Sequence, residues 1–221
     1  MVQQLAIMVG GPYEQIPSLK DIHSKELIWI GVDRGALRLL EQGIVPKIAL
    51  GDFDSVTKAE LKEIKKAIAD VRVYKAEKDE TDTELAVQIA FDEFEPESVS
   101  IYGTTGGRMD HLLNNIYMIF HPKFFHNASK IRLLDVQNTI SYFTPGTHIL
   151  TKEQDKKYLA FVCLSPVEQL AIKDAKYRLT NTNFVHPISL ASNEFISETV
   201  TFSFETGIIA VIQSKDNETK D

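Results

Sequence analysis

The chain has 221 residues, 43% of them hydrophobic, enough for one large domain or two small ones with a well-buried core. Its formal net charge of −7 argues against a general nucleic-acid binder, which would carry a basic face, but leaves room for a nucleotide at a locally positive site. No apolar run approaches the ~20 residues that a membrane span needs. The start, Met1-Val2-Gln3-Gln4-Leu5, has neither a basic n-region nor a small-residue cleavage site, so a cytoplasmic location is expected. The six histidines lack metal-ligand spacing and cysteine is nearly absent, which disfavours zinc. Cys163 is the sole cysteine, so no internal disulfide forms. It lies in the apolar run Leu159–Leu164 and reads as an inert core thiol.

In chain order, apolar runs predict strands at Leu5–Val9, Leu27–Val32, Lys47–Leu50, Val71–Tyr74, Val99–Tyr102 and Ile131–Leu134. Helical periodicity fills the gaps. Arg34–Gln42 carries Leu37, Leu39 and Leu40 and stops at Gly43, a residue suited to a helix end. Thr57–Ala69 spaces Leu61, Ile64, Ala67 and Ile68 by three and four. Thr81–Phe94 opens on Thr81-x-x-Glu84, the spacing of a capping box. Met109–Phe120 ends before Pro122. Strand and helix alternating at this length predict a parallel sheet covered by helices.

After Val136–Asn138 the pattern changes. Apolar runs at Thr139–Phe143, Tyr158–Leu164, Gln169–Ile172, Glu198–Phe204 and Ile208–Gln213 alternate with turn-prone Pro145-Gly146, Ser165-Pro166 and Thr180-Asn181-Thr182-Asn183. This half predicts a small antiparallel sandwich or barrel. The charged segment from Lys215 to Asp221 is expected to fray.

The chemistry concentrates at the ends of the predicted parallel strands. Asp33 ends the second, Asp52 and Asp54 the third, and Asp79 and Asp82 follow the fourth. In a parallel sheet these ends share one edge, where open sheets bind ligands. An extended chain at Asp52-Phe53-Asp54 would point both acids to one side. Carboxylates ~4 Å apart repel by roughly 4 kcal/mol at an effective dielectric of 20, so such a set calls for a cation, and oxygen ligands beside phosphates suit magnesium. The fifth strand leads into Gly103-Thr104-Thr105-Gly106-Gly107-Arg108-Met109-Asp110-His111, whose backbone N–H groups and Arg108 suit phosphate. Gly10-Gly11-Pro12 is a weaker signal of the same kind. Each aspartate alone also reads as a cap, a turn former or a partner of a helix dipole. The acids at consecutive strand ends point beyond those roles.

Taken together, Gly31-Val32-Asp33-Arg34-Gly35-Ala36, Gly51-Asp52-Phe53-Asp54-Ser55, Asp79-Glu80-Thr81-Asp82, Gly106-Gly107-Arg108-Met109-Asp110-His111 and Ser192-Asn193 resemble the thiamin pyrophosphokinase family over almost the whole chain. The resemblance implies a Rossmann-like three-layer α/β domain over residues 1–136 that binds Mg-ATP. It implies an all-β sandwich over 137–221 that supplies part of the thiamin pocket. It further implies transfer of the pyrophosphoryl group of Mg-ATP to the thiamin hydroxyl, giving thiamin diphosphate and AMP, by a homodimer with active sites between subunits. By motif match, Asp52, Asp54 and Asp82 are catalytic, with Asp82 orienting the hydroxyl. Asp33, Asp52, Asp54 and Asp82 hold magnesium, and Asp79 is their neighbour. Asp33, Lys78, Thr81, Arg108 and Asp110 lie on the ATP side. Ser192, Asn193 and Tyr177 lie on the thiamin side, Tyr177 standing where animal members carry a tryptophan that stacks on thiamin.

Two other readings compete. Asp52-Phe53-Asp54-Ser55-Val56 meets the D-x-D-x-[TV] signature of haloacid-dehalogenase-type phosphatases, in which the first Asp is a covalent nucleophile. That motif belongs after a first strand, whereas here it follows the third, and no late acidic pair follows. A non-catalytic nucleotide or thiamin sensor is the other, and it has little need of so many acids.

Overall fold

The structure is a computed structural model that describes residues 4–20, 22, 27–75, 77 and 79–217. The chain divides into two compact units, Met1–Val136 and Gln137–Asp221.

The first unit is built on strands β1 (Gln4–Met8), β2 (Ile28–Val32), β3 (Ile48–Gly51), β4 (Val71–Val73), β5 (Ser98–Tyr102) and β6 (Ile131–Leu134). All pair in parallel, in the order β6-β5-β1-β2-β3-β4. Order reverses between β1 and β5, which opens a crevice at their carboxyl ends. The helices are α1 (Arg34–Glu41), α2 (Lys58–Ala67), α3 (Asp82–Phe94), α4 (Met109–Tyr117) and the short α5 (Pro122–Phe125). α1 and α2 bury Ala36, Leu37 and Ile64 with Ala49 of β3. The alternate residues Leu5, Ile7, Ile30, Ile48 and Leu50 are also buried, as strands covered on both faces require, and α3 packs on β1, β2 and β3. Each of these side chains contributes about 1.5–3 kcal/mol on burial. α1 lies close to the sheet because Gly31 and Gly35 leave room for Ala36 and for the Met8 carbonyl.

Helix ends follow local chemistry. Thr57 with Glu60, and Thr81 with Glu84, form complete capping boxes at α2 and α3. α1 gives way to Gly43 at φ 75°. The helix expected over Met109–Phe120 is α-helical only to Tyr117 and closes as a 3₁₀ turn over Met118–Phe120.

The second unit contains β7 (Asn138–Phe143), β8 (Gly146–Thr151), β9 (Tyr158–Cys163), β10 (Val167–Ile172), β11 (Leu179–Phe184), β12 (Ile188–Glu194), β13 (Thr199–Phe204) and β14 (Ile209–Ser214). They form two antiparallel sheets, β12-β9-β14-β7 and β11-β10-β13-β8. One core joins them: Leu159, Phe161 and Val211 from one sheet meet Leu170, Val200 and Phe202 from the other. The ring of Phe202 sits 5.0 Å from Phe143 and 5.1 Å from Phe161, edge-on to both. The unit is therefore a sandwich. Cys163 lies in this core, and burial pushes its thiol up to about 11. Two expectations are corrected. Thr180–Asn183, read as a turn, is the middle of β11, with Asn181 at φ 35° absorbing an irregularity in its pairing. β8 and β12 were not expected at all; both are outer strands with largely exposed residues. Of the tail expected to fray, 218–221 lies outside the described residues.

Candidate active site

At the carboxyl edge of the parallel sheet, the loops after β1, β2, β4 and β5 line one cavity of about 810 Å³. Its floor is the β1/β5 crevice. There the Gly11 N–H donates to the Gly103 carbonyl at 2.9 Å, and a Cβ on Gly11 would overlap that carbonyl. Glycine is required because two backbones touch. Gly103 turns the β5 loop at φ 79°.

On the other side stand the acids. Carboxylate oxygens of Asp33, Asp52 and Asp82 all lie within 4.8 Å of one another. Three elements supply them: the end of β2, the turn after β3 and the first turn of α3. Asp33 precedes α1 but does not cap it. Its backbone sits at φ 49°, ψ −122°, and its side chain accepts the Phe53 N–H at 3.0 Å instead. Burial pushes its carboxyl up to about 7, and the neighbouring Asp82, Asp52 and Asp54 add to the rise while the Phe53 N–H opposes it. Without a cation the charged form of Asp33 is therefore disfavoured. Three converged carboxylates with one so disfavoured are a donor set that a hard cation would complete.

The alternation assumed for Asp52-Phe53-Asp54 does not hold. Phe53 is buried at φ 59°, and the Asp54 N–H folds back onto the Asp52 carboxylate at 2.9 Å. Asp54 therefore sits on an exposed turn, outside the three-carboxylate set but close enough to act on Asp33. Asp79, Thr81 and Arg108 line the cavity. The Thr81 hydroxyl accepts the Glu84 N–H of its capping box, so capping and lining coexist. Arg108 pairs with Asp110 at 2.5 Å, both well exposed. Lys78 lies outside the described residues.

In the sandwich unit, Ser192 sits at φ 61° where the pairing of β12 with β9 slips between Leu190 and Asn193. The bulge turns Asn193 inward, where it is 4% exposed. Its carboxamide accepts the Tyr177 N–H at 2.9 Å and donates to the Tyr177 carbonyl at 2.8 Å. Tyr177 is thereby pinned by its backbone while the residue stays 59% exposed.

Several groups in or next to the cavity escaped the sequence reading. Arg34 and Arg38 enter the cavity from α1; their spacing of four, directly after Asp33, is the signal that could have marked them. Asp135, buried at the end of β6, accepts the Thr105 hydroxyl at 2.5 Å. The buried Thr104 hydroxyl has no hydrogen-bond partner among the described residues. It lies within the Gly103–His111 turn expected to meet phosphate, but nothing there marked its hydroxyl.

A parallel sheet with a switch-point cavity, an acidic cluster at its strand ends and a following β sandwich define a nucleotide-dependent phosphotransferase architecture. The comparisons with known proteins are specific. Residues 19–133 match the thiamin pyrophosphokinase catalytic domain, and 147–209 match the thiamin pyrophosphokinase vitamin B1 binding domain. The thiamine pyrophosphokinase of Bacillus subtilis (strain 168) is 41% identical over 217 residues, which is 97% of this chain and 100% of that protein. A crystal structure of a thiamin pyrophosphokinase family protein from Enterococcus faecalis superimposes with a TM-score of 0.91 at 44% identity, covering 97% of this chain and 100% of that one. The crystal structure of the Bacillus subtilis enzyme gives 0.85 at 38% identity, over 96% and 99%. The chain belongs to the thiamin pyrophosphokinase family. It is accordingly a diphosphotransferase, and the phosphatase reading of Asp52–Val56 is not supported.

Proposed function

We propose that the cavity binds Mg-ATP and that the chain moves its pyrophosphoryl group to the thiamin hydroxyl, releasing AMP and thiamin diphosphate. The observation that carries this reading is the convergence of Asp33, Asp52 and Asp82 beside a glycine-lined crevice. These three would hold Mg²⁺, with Asp54 at the exposed rim. When bound, the ion offsets charge on the phosphate oxygens. The rest falls to the chain. Backbone N–H groups of Gly10 and of the Gly103–Gly107 loop lie where nucleotide would pack. The unsatisfied Thr104 hydroxyl offers a polar contact there, since a buried orphan costs about 1–3 kcal/mol until it is paired. In the transfer, the thiamin hydroxyl oxygen bonds to the β-phosphorus. The bond from that phosphorus to the α-phosphate oxygen breaks, and its electron pair stays on AMP. Asp82 orients the hydroxyl and accepts its proton. Catalysis of this kind is mostly positioning and charge compensation.

On the thiamin side we assign Tyr177, Ser192 and Asn193. An exposed ring held by its backbone suits stacking on a flat cationic heterocycle. We also propose a cytoplasmic homodimer. The cytoplasm supplies the ATP. Met109, Leu113, Tyr117 and Phe120 present an exposed apolar stripe along α4 and the turn after it, as a subunit contact would. ATP labelled at the β-phosphorus tests the reaction: label is expected in thiamin diphosphate, with unlabelled AMP in equal amount. ADP together with thiamin monophosphate would contradict it.

A further inference from the structure

Arg38 is a cation that lines the cavity, where Glu41 and Glu14 act on it without forming an ion pair. It is half-buried, lines the cavity and has no ion-pair partner among the described residues. The one hydrogen bond it makes to a described residue goes from Nη1 to the carbonyl of Gly11, a neutral group. Arg34 stands one helical turn away on the same helix and repels it. Arg34 itself is occupied: its guanidinium donates to the Ser55 carbonyl, 3.0 Å from Nε, and meets Glu60 at 3.4 Å. Burial holds the Arg38 guanidinium below the usual arginine range and Arg34 lowers it further, while Glu41, Glu14 and Tyr13 oppose the fall. A guanidinium has five N–H donors in a planar fork, so one bond to Gly11 leaves most of them for a ligand.

Its place along the sheet edge identifies that ligand. The glycine crevice lies at β5 and β1, and the acids at β2, β3 and the start of α3. Arg38 reaches the β1 loop from the helix that follows β2, which sets it between the two. On the proposed reading the nucleoside occupies the crevice and the transferred pyrophosphoryl group faces the acids. The α-phosphate falls between them. We propose that Arg38 is a catalytic residue that grips the α-phosphate of ATP, the group that leaves as AMP. When the bond between the β-phosphorus and the α-phosphate oxygen breaks, its electrons collect on that oxygen. Arg38 neutralises them and holds the departing nucleotide. The inference rests on the proposed function, and its test separates the two.

The test compares AMP with adenosine as equilibrium ligands of the full chain, beside turnover with Mg-ATP and thiamin. In Arg38→Met, AMP binding is expected to weaken about 10- to 100-fold, the scale of lost charge-assisted hydrogen bonds. Adenosine binding stays unchanged and kcat falls at least as far. Arg38→Lys keeps the charge and loses the fork, so AMP binding weakens about 3- to 10-fold, again without change for adenosine. If AMP and adenosine weaken together, Arg38 only anchors the Gly11 loop and the inference fails. Unchanged AMP binding in both variants also overturns it. Should Arg38→Met not fold, Arg38→Lys decides by the same comparison. Wild-type protein that yields no AMP would instead defeat the proposed function, whatever the variants do.

Discussion

Asp33→Asn is expected to cut turnover by roughly 10³-fold or more, the scale of losing several kcal/mol of charge stabilisation at a metal site, and yet to raise the melting temperature of the metal-free protein. The two effects have one cause. Asp33 is pressed into a half-buried position beside Asp52 and Asp82, with its carboxyl raised to about 7 from an ordinary value of 3.8. For a group raised in the folded state, stability is fully present below the unfolded pKa. It is lost as pH rises through the folded one. The window therefore runs from about pH 4 to about pH 7, and the wild type is penalised above it. The whole shift would correspond to about 4 kcal/mol. The carboxyl keeps some contact with water, which screens its neighbours, so about half is expected. Asparagine carries no charge, still accepts the Phe53 N–H and tolerates the positive φ. At pH 8 in EDTA the variant should melt roughly 4–8 °C higher than the wild type. At pH 4 the two should coincide. Adding magnesium and ATP should stabilise only the wild type. Calorimetry at the two pH values checks the sign, and a variant that melts lower at pH 8 would contradict it.

Gly51→Ala is expected to damage the same cluster from beneath. Gly51 ends β3 at φ 141°, a conformation L residues rarely adopt, and its missing Cβ leaves the space that Asp33 Oδ1 occupies. A methyl there must displace the carboxyl or the strand end. Backbone strain of this kind costs about 1–3 kcal/mol, and a misplacement near 1 Å at reacting groups is worth about 10²-fold in rate. The expected result is a kcat lower by about 100-fold or more, with the melting temperature reduced. Gly43→Ala is the control. Gly43 also has a positive φ, but no atom lies within reach of the added Cβ, so stability falls while kcat of the folded fraction holds. Equal kcat losses in the two variants would mean that the contact with Asp33 is unimportant.

Much of this site could be read before any coordinates, because its parts follow from short-range rules. Apolar runs marked β1 to β6, Thr-x-x-Glu marked the start of α3, and acids directly after strands had to share an edge. What escaped depends on geometry that local pattern does not encode. The turn at Phe53 separates Asp54 from Asp52, and it arises because Phe53 is buried while Asp52 receives the Asp54 N–H. Arg38 reaches the cavity only because α1 packs against Gly31 and next to the β1 loop. Asp135 becomes a partner of Thr105 through the parallel pairing of β5 with β6. In the second unit, the threonines and asparagines of β11 look like a turn because no residue of this outer strand is fully buried, so polar side chains occupy both faces and the alternation that identifies strands is lost. Asn193 looked like a ligand group, yet its carboxamide first serves a local role by fixing the backbone of Tyr177.

The central proposal is that Asp33, Asp52 and Asp82, whose carboxylates converge beside the cavity, act as one cation site. Manganese(II), a paramagnetic stand-in for magnesium, tests that claim directly by electron paramagnetic resonance of the protein with a non-transferable ATP analogue. Wild-type protein is expected to convert free manganese to a bound signal. Asp52→Asn and Asp82→Asn should each weaken that binding at least about 10-fold. Asp79→Asn, which lines the cavity outside the cluster, should bind as the wild type does. Wild-type manganese affinity in both cluster variants would contradict the account.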